Sequence, residues 1–324
     1  MTRAPPASAR TRAVLAVVET LQRHFVAGLE SLEVGFTPIE WLRDEGRHGG
    51  GQRFARVESA VFNRASVNVS CVHYADDATK PIVAATALSA IVHPQHPAAP
   101  SIHLHVSFTE PREGEATWRL MADLNPSHEV SDHTARFTAA LSDVLGADAD
   151  HARKEGSKYF FIPALGRTRG VTHFYEEQYR TDDAHAERFA RTAIDAYVQL
   201  LRETPTAAPT EAQRATQRAY HTLYFFQVLT LDRGTTSGLL AHDQNDVGVM
   251  GSLPAFIDRA LLAGWAAKVP APQDALVQAL VDAVPADGHV TDAVRGVLAR
   301  TVRAHYRAHP QALALQAAGS IAPR

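Results

Sequence analysis

Hydrophobic residues recur along the chain with two different periods, and the change of period predicts the order of helices and strands. Residues 12–31 show the three-or-four spacing of an amphipathic helix, and that spacing returns over 134–145, 184–203, 253–269, 274–284 and 290–309. Short alternating segments between Ala60 and Phe108 predict strands of a mixed sheet. Residues 220–231 are apolar on both faces, which predicts a central strand covered by helices. The pattern predicts an α+β fold with a helical C-terminal tail.

The clearest predicted strand covers residues 101–109. Its even positions are apolar and its odd positions are polar, so one face belongs to the core and the other is free for chemistry. The polar face carries His103 and His105 side by side. Two histidines at this spacing can present both imidazoles to one metal ion or one substrate.

Composition limits the function classes. The 324 residues are 45% hydrophobic and 21% charged, which suits one large or two small globular domains. A net charge of −3 without a dense Lys/Arg cluster argues against a nucleic-acid partner. One cysteine excludes an intrachain disulfide and a cysteine metal cluster. The 17 histidines hint at metal or proton chemistry.

The sequence also bears on location. No stretch approaches the roughly 20 apolar residues of a membrane helix, so we expect no membrane partner. The apolar run at residues 13–18 is too short for a signal-peptide core. The arginine-bearing N-terminus fits either a disordered tail or a weak transit peptide, and a cytoplasmic location is the default expectation.

Standard catalytic motifs are absent: there is no P-loop, dinucleotide fingerprint, G-x-S-x-G elbow or H-E-x-x-H. Short fragments instead follow one another in a characteristic order between residues 14 and 256: Ile39-Glu40-Trp41, Gly49-Gly50-Gly51, Val67-Asn68-Val69-Ser70, Ile91-Val92-His93-Pro94, Asp123-Leu124-Asn125-Pro126, Tyr159-Phe160-Phe161, Arg169-Gly170-Val171 and Asp232-Arg233-Gly234-Thr235. Taken jointly, they resemble the oxygen-dependent coproporphyrinogen III oxidase family.

The resemblance implies a large, mostly antiparallel sheet flanked by helices on both faces, and a homodimer. Together with the residue pattern, it leads us to divide the chain into a disordered tail (residues 1–11), the oxidase-like domain (12–256) and a helical extension packed on it (257–324). It implies oxygen as co-substrate and no organic cofactor, because the reduced tetrapyrrole itself supplies electrons when two propionates become vinyl groups.

Several site residues carry over by position. The resemblance makes His103 the proton donor, and Ser89 a substrate contact. His93 would handle metal or substrate, and Asp123 would meet pyrrole N–H groups, although Asp123 also suits a turn or helix cap. Arg169 would hold a carboxylate, whereas Asp232 and Arg233 would be architectural.

Departures from the family pattern fall on the substrate site. The family has Asn-x-Arg after the proton-donor histidine, and this chain has His105-Val106-Ser107. A glycine run before the aspartate has become Arg119-Leu120-Met121, and a Gly-Gly-Arg has become His242-Asp243-Gln244. Two or more carboxylate-binding arginines are therefore missing. Arg119, or others at positions 53, 56 and 64, could replace them or could simply be solvated.

The histidines allow a metal site. His93, His103, His105 and His173, with a nearby glutamate, match the ligand types of an iron, copper or manganese centre. The alternative is that His105 only forms hydrogen bonds and His173 lies on the surface.

Three functions remain open. We favour an oxygen-dependent oxidase or oxidative decarboxylase diverged to a different, smaller acid or amine. The alternatives are a genuine coproporphyrinogen III oxidase and a non-catalytic tetrapyrrole-binding relative. Retention of His93, His103, Ser89 and Asp123 argues against the last.

Overall fold

A seven-stranded antiparallel sheet forms the centre of the computed structural model, which describes residues 2–241 and 243–316. The strand order is β1-β2-β3-β4-β5-β6-β9, and a separate hairpin holds β7 and β8. The strands are β1 (Thr37–Leu42), β2 (Gly49–Val57), β3 (Phe62–His73), β4 (Ile82–Pro94), β5 (Ser101–Pro111), β6 (Thr117–Asn125), β7 (Phe161–Ile162), β8 (Arg167–Thr168) and β9 (Thr172–Tyr179). Each pair of neighbours in the main sheet is antiparallel, so the expected mixed sheet is corrected to a purely antiparallel one.

Helices cover both faces of this sheet, as the resemblance implied. They are α1 (Ala9–Glu30), α2 (Ser131–Leu145), α3 (Ala149–Tyr159), α4 (Asp183–Arg202), α5 (Glu211–Thr230), α6 (Arg233–Ala241), α7 (Asp246–Val249), α8 (Arg259–Ala266), α9 (Gln273–Ala283) and α10 (Asp292–Ala308). The α+β class and the helical C-terminal segment are confirmed. No helix within the described residues is long and apolar enough to cross a membrane.

The alternation along β5 places one hydrophobic core on one face of the sheet. Ile102, Leu104, Val106 and Phe108 are buried there against α1, α2 and α4. Such burial contributes roughly 1.5–3 kcal/mol for each large apolar side chain. The odd positions of β5 therefore face the opposite side, where α5 and the C-terminal helices pack.

Residues 220–231 do not form the predicted central strand. Residues 220–230 belong to α5, which begins at a Thr210 N-cap with a complete capping box to Gln213 and ends at the Leu231 C-cap. The segment is apolar all round because it lies between the sheet and a second core built with α8, α9 and α10. A helix buried on all sides has no polar stripe, so its pattern imitates a buried strand.

The N-terminal segment starts its helix earlier than the pattern predicted. Helix α1 begins at Ala9, where the Ser8 hydroxyl accepts a hydrogen bond from Thr11 N. Upstream, Ala4 N donates to Gly46 O. The predicted domain boundaries stay predictions, and Met1, His242 and residues 317–324 lie outside the described part of the chain.

The glycine run at the start of β2 brings Trp41 close to the sheet. A Cβ at Gly51 would lie 2.5 Å from Trp41 Nε1 and 2.2 Å from Val69 O, so only glycine fits there. Trp41 consequently leans over the polar face, where the candidate site lies.

Candidate active site

The register of the sheet gathers the polar residues into rows on one face. His103 pairs with Asp123, and Asp123 pairs with His173. In the next row, Ser89 pairs with His105. Cross-strand partners stand about 5 Å apart, so residues far apart in sequence become direct neighbours.

A cavity of about 340 Å³ opens above these rows. Its floor is the polar face of β3–β6, and its cover is α5 together with residues 232–241 and 243–252. Its lining includes three residues predicted for the site, Ser89, His103 and His105. The volume is at the lower end of the roughly 300–1,000 Å³ range of small-molecule sites.

His103 faces the cavity with a carboxylate behind it. Its Nδ1 lies 3.0 Å from Asp123 Oδ1. Asp123 Oδ2 accepts from Arg169 Nη2 at 2.7 Å and from Asn125 Nδ2 at 2.5 Å. Asp123 and Arg169 are fully buried, and neither lines the cavity. The Asp123 carboxylate thus makes its hydrogen bonds to protein groups rather than to a ligand, and it fixes the orientation of the His103 imidazole.

The electrostatics of this group decide the His103 tautomer. Burial alone would raise the pKa of Asp123, but the Arg169 guanidinium and the His103 hydrogen bond hold it far below its usual value. An ionised carboxylate can only accept hydrogen bonds, so His103 Nδ1 must carry the proton and donate the hydrogen bond to Asp123. Arg169 Nη2 lies 3.1 Å from the same Nδ1, and as a second donor it does not bond there. His103 Nε2 is left free to accept a proton from a cavity ligand.

Two aromatic rings hold Arg169 in place. Its guanidinium lies 4.2 Å from the Phe160 ring centroid and 4.8 Å from that of Tyr224. Arg169 Nη1 also donates to Gln227 Oε1 at 2.7 Å. Arg169 therefore acts on the site through Asp123 and not, in this arrangement, by touching a ligand.

Farther along the sheet, the cavity has a cation. Arg119 lies directly opposite Ser107 in the β5–β6 register, on the same face as His105. Arg119 Nη2 donates to Glu177 Oε1 at 2.7 Å, and Tyr175 OH donates to the other oxygen of Glu177. Burial and the nearby charges of Arg119 and His103 keep the pKa of His105 well below its ordinary value, so His105 is neutral near pH 7.

Asp232, which the resemblance made architectural, is a carboxylate that lines the cavity. It accepts hydrogen bonds from Tyr159 OH at 3.2 Å and from Thr235 N at 3.0 Å. Asp232 lines the cavity and Asp123 does not. Its position just before α6 reads as a helix cap, and only the packing of α6 over the sheet reveals the second role.

His93 is placed differently from the expectation that it would reach the same site. It is fully buried, with Nδ1 3.0 Å from Ser101 Oγ and Nε2 3.1 Å from Ser252 O. Both ring nitrogens are engaged, so His93 secures β4 to the 250–252 turn and does not line the cavity.

His173 is buried, not on the surface. Its ring packs on Phe160 at a centroid distance of 5.3 Å, and neither ring nitrogen has a hydrogen-bond partner. Within the described residues, no three His, Cys, Asp or Glu side chains are arranged to hold a metal ion. The four histidines proposed as metal ligands do not converge, and the metal hypothesis gains no support from this geometry.

Comparison with known proteins identifies the family of the chain. A family model described as coproporphyrinogen III oxidase matches residues 13–281. The chain therefore belongs to the coproporphyrinogen III oxidase family.

Individual relatives are distant. The human mitochondrial oxygen-dependent coproporphyrinogen-III oxidase is 26% identical over 281 residues, which cover 77% of this chain and 61% of the relative. The Dictyostelium discoideum enzyme of that name is 29% identical over 184 residues, covering 53% of this chain and 54% of the relative. The rat mitochondrial enzyme is 26% identical over 77% of this chain and 63% of its own length. The chain thus spans 54–63% of the length of these relatives.

Proposed function

We propose that the chain is an oxygen-dependent oxidase that decarboxylates an electron-rich, carboxylate-bearing substrate. The observation that carries this proposal is that His103 and Arg119 face one cavity, with the His103 ring fixed by the buried Asp123–Arg169 pair. A fixed base with a free Nε2 and a carboxylate-binding cation are the two groups that such a reaction needs.

The reaction balances without a further reagent. A propionate side chain loses carbon dioxide, one proton and two electrons to become a vinyl group. Molecular oxygen takes the two electrons, this proton and a second proton from solvent water to become hydrogen peroxide. His103 Nε2 accepts the proton that leaves carbon, and the electron-rich ring delivers the electrons, so no organic cofactor is required.

The cavity favours a substrate smaller than a tetracarboxylate macrocycle. Its volume of about 340 Å³ is low for a ligand site, and Met121 and Arg119 occupy positions where the family pattern has glycines. Asp232, in the same cavity, can accept a hydrogen bond from a pyrrole N–H or an ammonium group. A pyrrole-type acid or amine satisfies these groups.

One observation favours the second candidate, a genuine coproporphyrinogen III oxidase. Ser107 stands where the family pattern has a carboxylate-binding arginine, and Arg119 stands directly across the strand pair where the pattern has glycine. Cross-strand neighbours deliver their side chains to the same region. The carboxylate-binding guanidinium of the family pattern is thus replaced by one on the neighbouring strand, at a position from which it can bind a propionate.

Aerobic turnover separates the two candidates. The protein is mixed under air with freshly reduced coproporphyrinogen III, or with a monopyrrole that carries one propionate and one aminomethyl group. Oxygen uptake, hydrogen peroxide and vinyl products are measured. Vinyl product from the monopyrrole alone supports the smaller substrate, and protoporphyrin product supports the second candidate. No oxygen uptake above that of His103→Asn with either compound contradicts the oxidase proposal.

We further propose the homodimer and the cytoplasmic location that the sequence suggested. Support for a dimer comes from β1, an edge strand with Thr37–Glu40 exposed, because bare strand edges favour pairing with another chain. Light scattering should give twice the chain mass of 35.2 kDa, and a monomer mass would contradict the dimer.

A further inference from the structure

Three buried arginines lie together beside the cavity without enough negative charge to balance them. They are Arg53 on β2, Arg64 on β3 and Arg295 on α10, with exposures of 5%, 2% and 4%. Buried guanidinium groups are ordinarily paired with carboxylates or other anions, because an unpaired buried charge is strongly unfavourable.

The hydrogen bonds of these three side chains are incomplete. Arg64 Nη2 donates to Val290 O at 3.2 Å, while its Nε and Nη1 have no partner. Arg295 pairs with Asp292 and leaves Nε unpartnered. Arg53 Nε likewise has no partner. Four guanidinium nitrogens of these three residues are therefore buried without an acceptor.

Nearby carboxylates do not neutralise the cluster. Asp292 is 73% exposed at its side chain and sits one helical turn from Arg295. Glu58 is exposed, and its Oε1 already lies 2.8 Å from His289 Nε2. Burial, followed by the Arg295 charge, lowers the pKa of Arg53, and the same causes lower that of Arg64 to about 10. The cluster keeps a positive excess.

Its position ties the cluster to the cavity. Arg53 is the direct cross-strand partner of Asn68, which lines the cavity on the same face. A Cβ at Gly248 would lie 2.6 Å from Arg53 Nη1, so the missing side chain there lets the guanidinium reach the cavity cover. Arg295 comes from α10, which lies beyond the stretch that matches the family model.

We propose that Arg53, Arg64 and Arg295 form an oxyanion-binding site that takes a carboxylate or phosphate group. Two sources share this chemistry: a small free anion, and an anionic arm of the molecule bound in the neighbouring cavity. Guanidinium groups bind both oxyanions through paired, charge-assisted hydrogen bonds. The C-terminal helix thereby contributes a binding residue that the family-matched part of the chain lacks.

The test measures anion binding, not turnover, so its outcome is independent of the oxidase proposal. Calorimetry uses inorganic phosphate and, separately, aliphatic dicarboxylates from succinate to suberate, at constant ionic strength set with chloride. We expect Arg64→Met and Arg295→Met to weaken phosphate binding by roughly tenfold or more. The matched control is Arg56→Met, because Arg56 lies on β2 and pairs with Glu33 instead.

A second readout separates binding from a structural role. Without added anion, Arg64→Met should keep or raise the melting temperature, because one of three repelling charges is removed. Phosphate should raise the melting temperature of the wild-type protein and not that of the variant. A structural arginine predicts the reverse, a lower melting temperature at every anion concentration.

The arms of the experiment identify the source of the anion. Binding of inorganic phosphate by the protein with its cavity residues unaltered indicates that the arginine site takes a small free anion. Binding that depends on dicarboxylate length, and that Arg119→Gln also weakens, indicates an arm of a cavity ligand. If Arg64→Met does not fold, the anion affinity of Arg295→Met alone tests the proposal. Absence of anion binding by the wild-type protein, or equal binding by the Arg295 variant, overturns the proposal.

Discussion

At the residue scale, the site separates the groups that touch a ligand from those that hold them. His103 reaches the cavity, whereas Asp123 and Arg169 are wholly buried behind it. Asp123 receives hydrogen bonds from His103, Arg169 and Asn125, so its lone pairs are used before any ligand arrives. A buried carboxylate with this many donors stays ionised and keeps the imidazole in one tautomer.

This division predicts the effect of Asp123→Asn. The amide would present the wrong hydrogen-bond pattern to His103 Nδ1, so we expect kcat to fall by about 100- to 10,000-fold with a small change in KM. Oxygen uptake measured with the substrate that the wild-type protein oxidises provides the test. His105→Asn is the matched comparison, because His105 lines the same cavity without a carboxylate partner, and its kcat should fall far less. Equal losses of kcat in Asp123→Asn and His105→Asn would contradict a role of His103 in proton transfer.

Arg119 gives a second prediction at this scale. Loss of a charge-assisted contact of roughly 1.5–3 kcal/mol in Arg119→Ser should raise KM by about 10- to 100-fold for a carboxylate substrate. Because Ser107 is its cross-strand partner, the exchange variant Ser107→Arg/Arg119→Ser should recover most of the lost affinity. Steady-state KM values provide the test. An exchange variant no better than Arg119→Ser would contradict the view that the cation changed strand.

At the element scale, the cavity cover is held by the C-terminal helix. Arg303 on α10 forms an ion pair with Asp246 at the start of α7, and its Nε donates to Leu239 O of α6 at 2.8 Å. A second contact joins the cover to the short helical turn Asp44–Gly46 that precedes β2. Gln244 Nε2 donates to Asp44 Oδ1, and Gln244 Oε1 accepts from Asp44 N. The helical extension thus takes part in shaping the cavity.

Removal of the α10 tether should loosen the cover. In Arg303→Met, amide hydrogen exchange should accelerate within residues 233–252 and stay unchanged in β3–β6, because the sheet does not depend on this contact. KM should rise by roughly tenfold, about the effect of one lost charged contact. Arg300→Met is the matched control, since Arg300 is exposed on the same helix. Unchanged exchange in the cover would show that α10 does not hold it.

At the scale of the whole molecule, the sheet separates two hydrophobic cores. Several histidines, His93, His173 and His221 among them, are buried in the interior. One core joins the sheet to α1, α2 and α4, and the other joins α5 to α8, α9 and α10. Burial lowers the pKa of His173 to about 4 and that of His221 to about 3. Burial also lowers the pKa of His93. The fold therefore depends on neutral imidazoles.

This burial predicts a loss of stability in mild acid. The folded-state pKa lies below the unfolded value near 6.5, so the unfolded protein binds more protons as the pH falls from 6.5 toward 4. Stability is complete above pH 6.5, and each such histidine removes about 2 kcal/mol by pH 5. Denaturant unfolding at several pH values measures the slope.

A matched pair of variants assigns that slope to buried histidines. His173→Leu should flatten the pH dependence, because an apolar side chain replaces a ring with two unpartnered nitrogens. His151→Gln is the control, since His151 is exposed and its pKa is raised by the Glu176 hydrogen bond. An unchanged slope in His173→Leu would contradict this origin of the acid sensitivity.

The local period of the sequence determined the elements whose two faces differ. Alternation assigned Ile102, Leu104 and Val106 to the core and His103 and His105 to the open face, because a strand turns successive side chains to opposite sides. The three-or-four spacing likewise predicted α1, α4 and α10. It failed over 220–231, where burial on every side removes the polar stripe that distinguishes a helix from a strand.

Only the tertiary structure decided which polar residues meet. Strand register placed Asp123 behind His103 and Arg119 opposite Ser107, and the packing of α6 brought Asp232 into the cavity in place of Asp123. The cluster of Arg53, Arg64 and Arg295 joins the neighbouring strands β2 and β3 to α10, which lies more than two hundred residues farther along the chain. Local periodicity carries the orientation of a side chain on its own element. Its neighbours are set by non-local pairing, and so are its burial and charge environment.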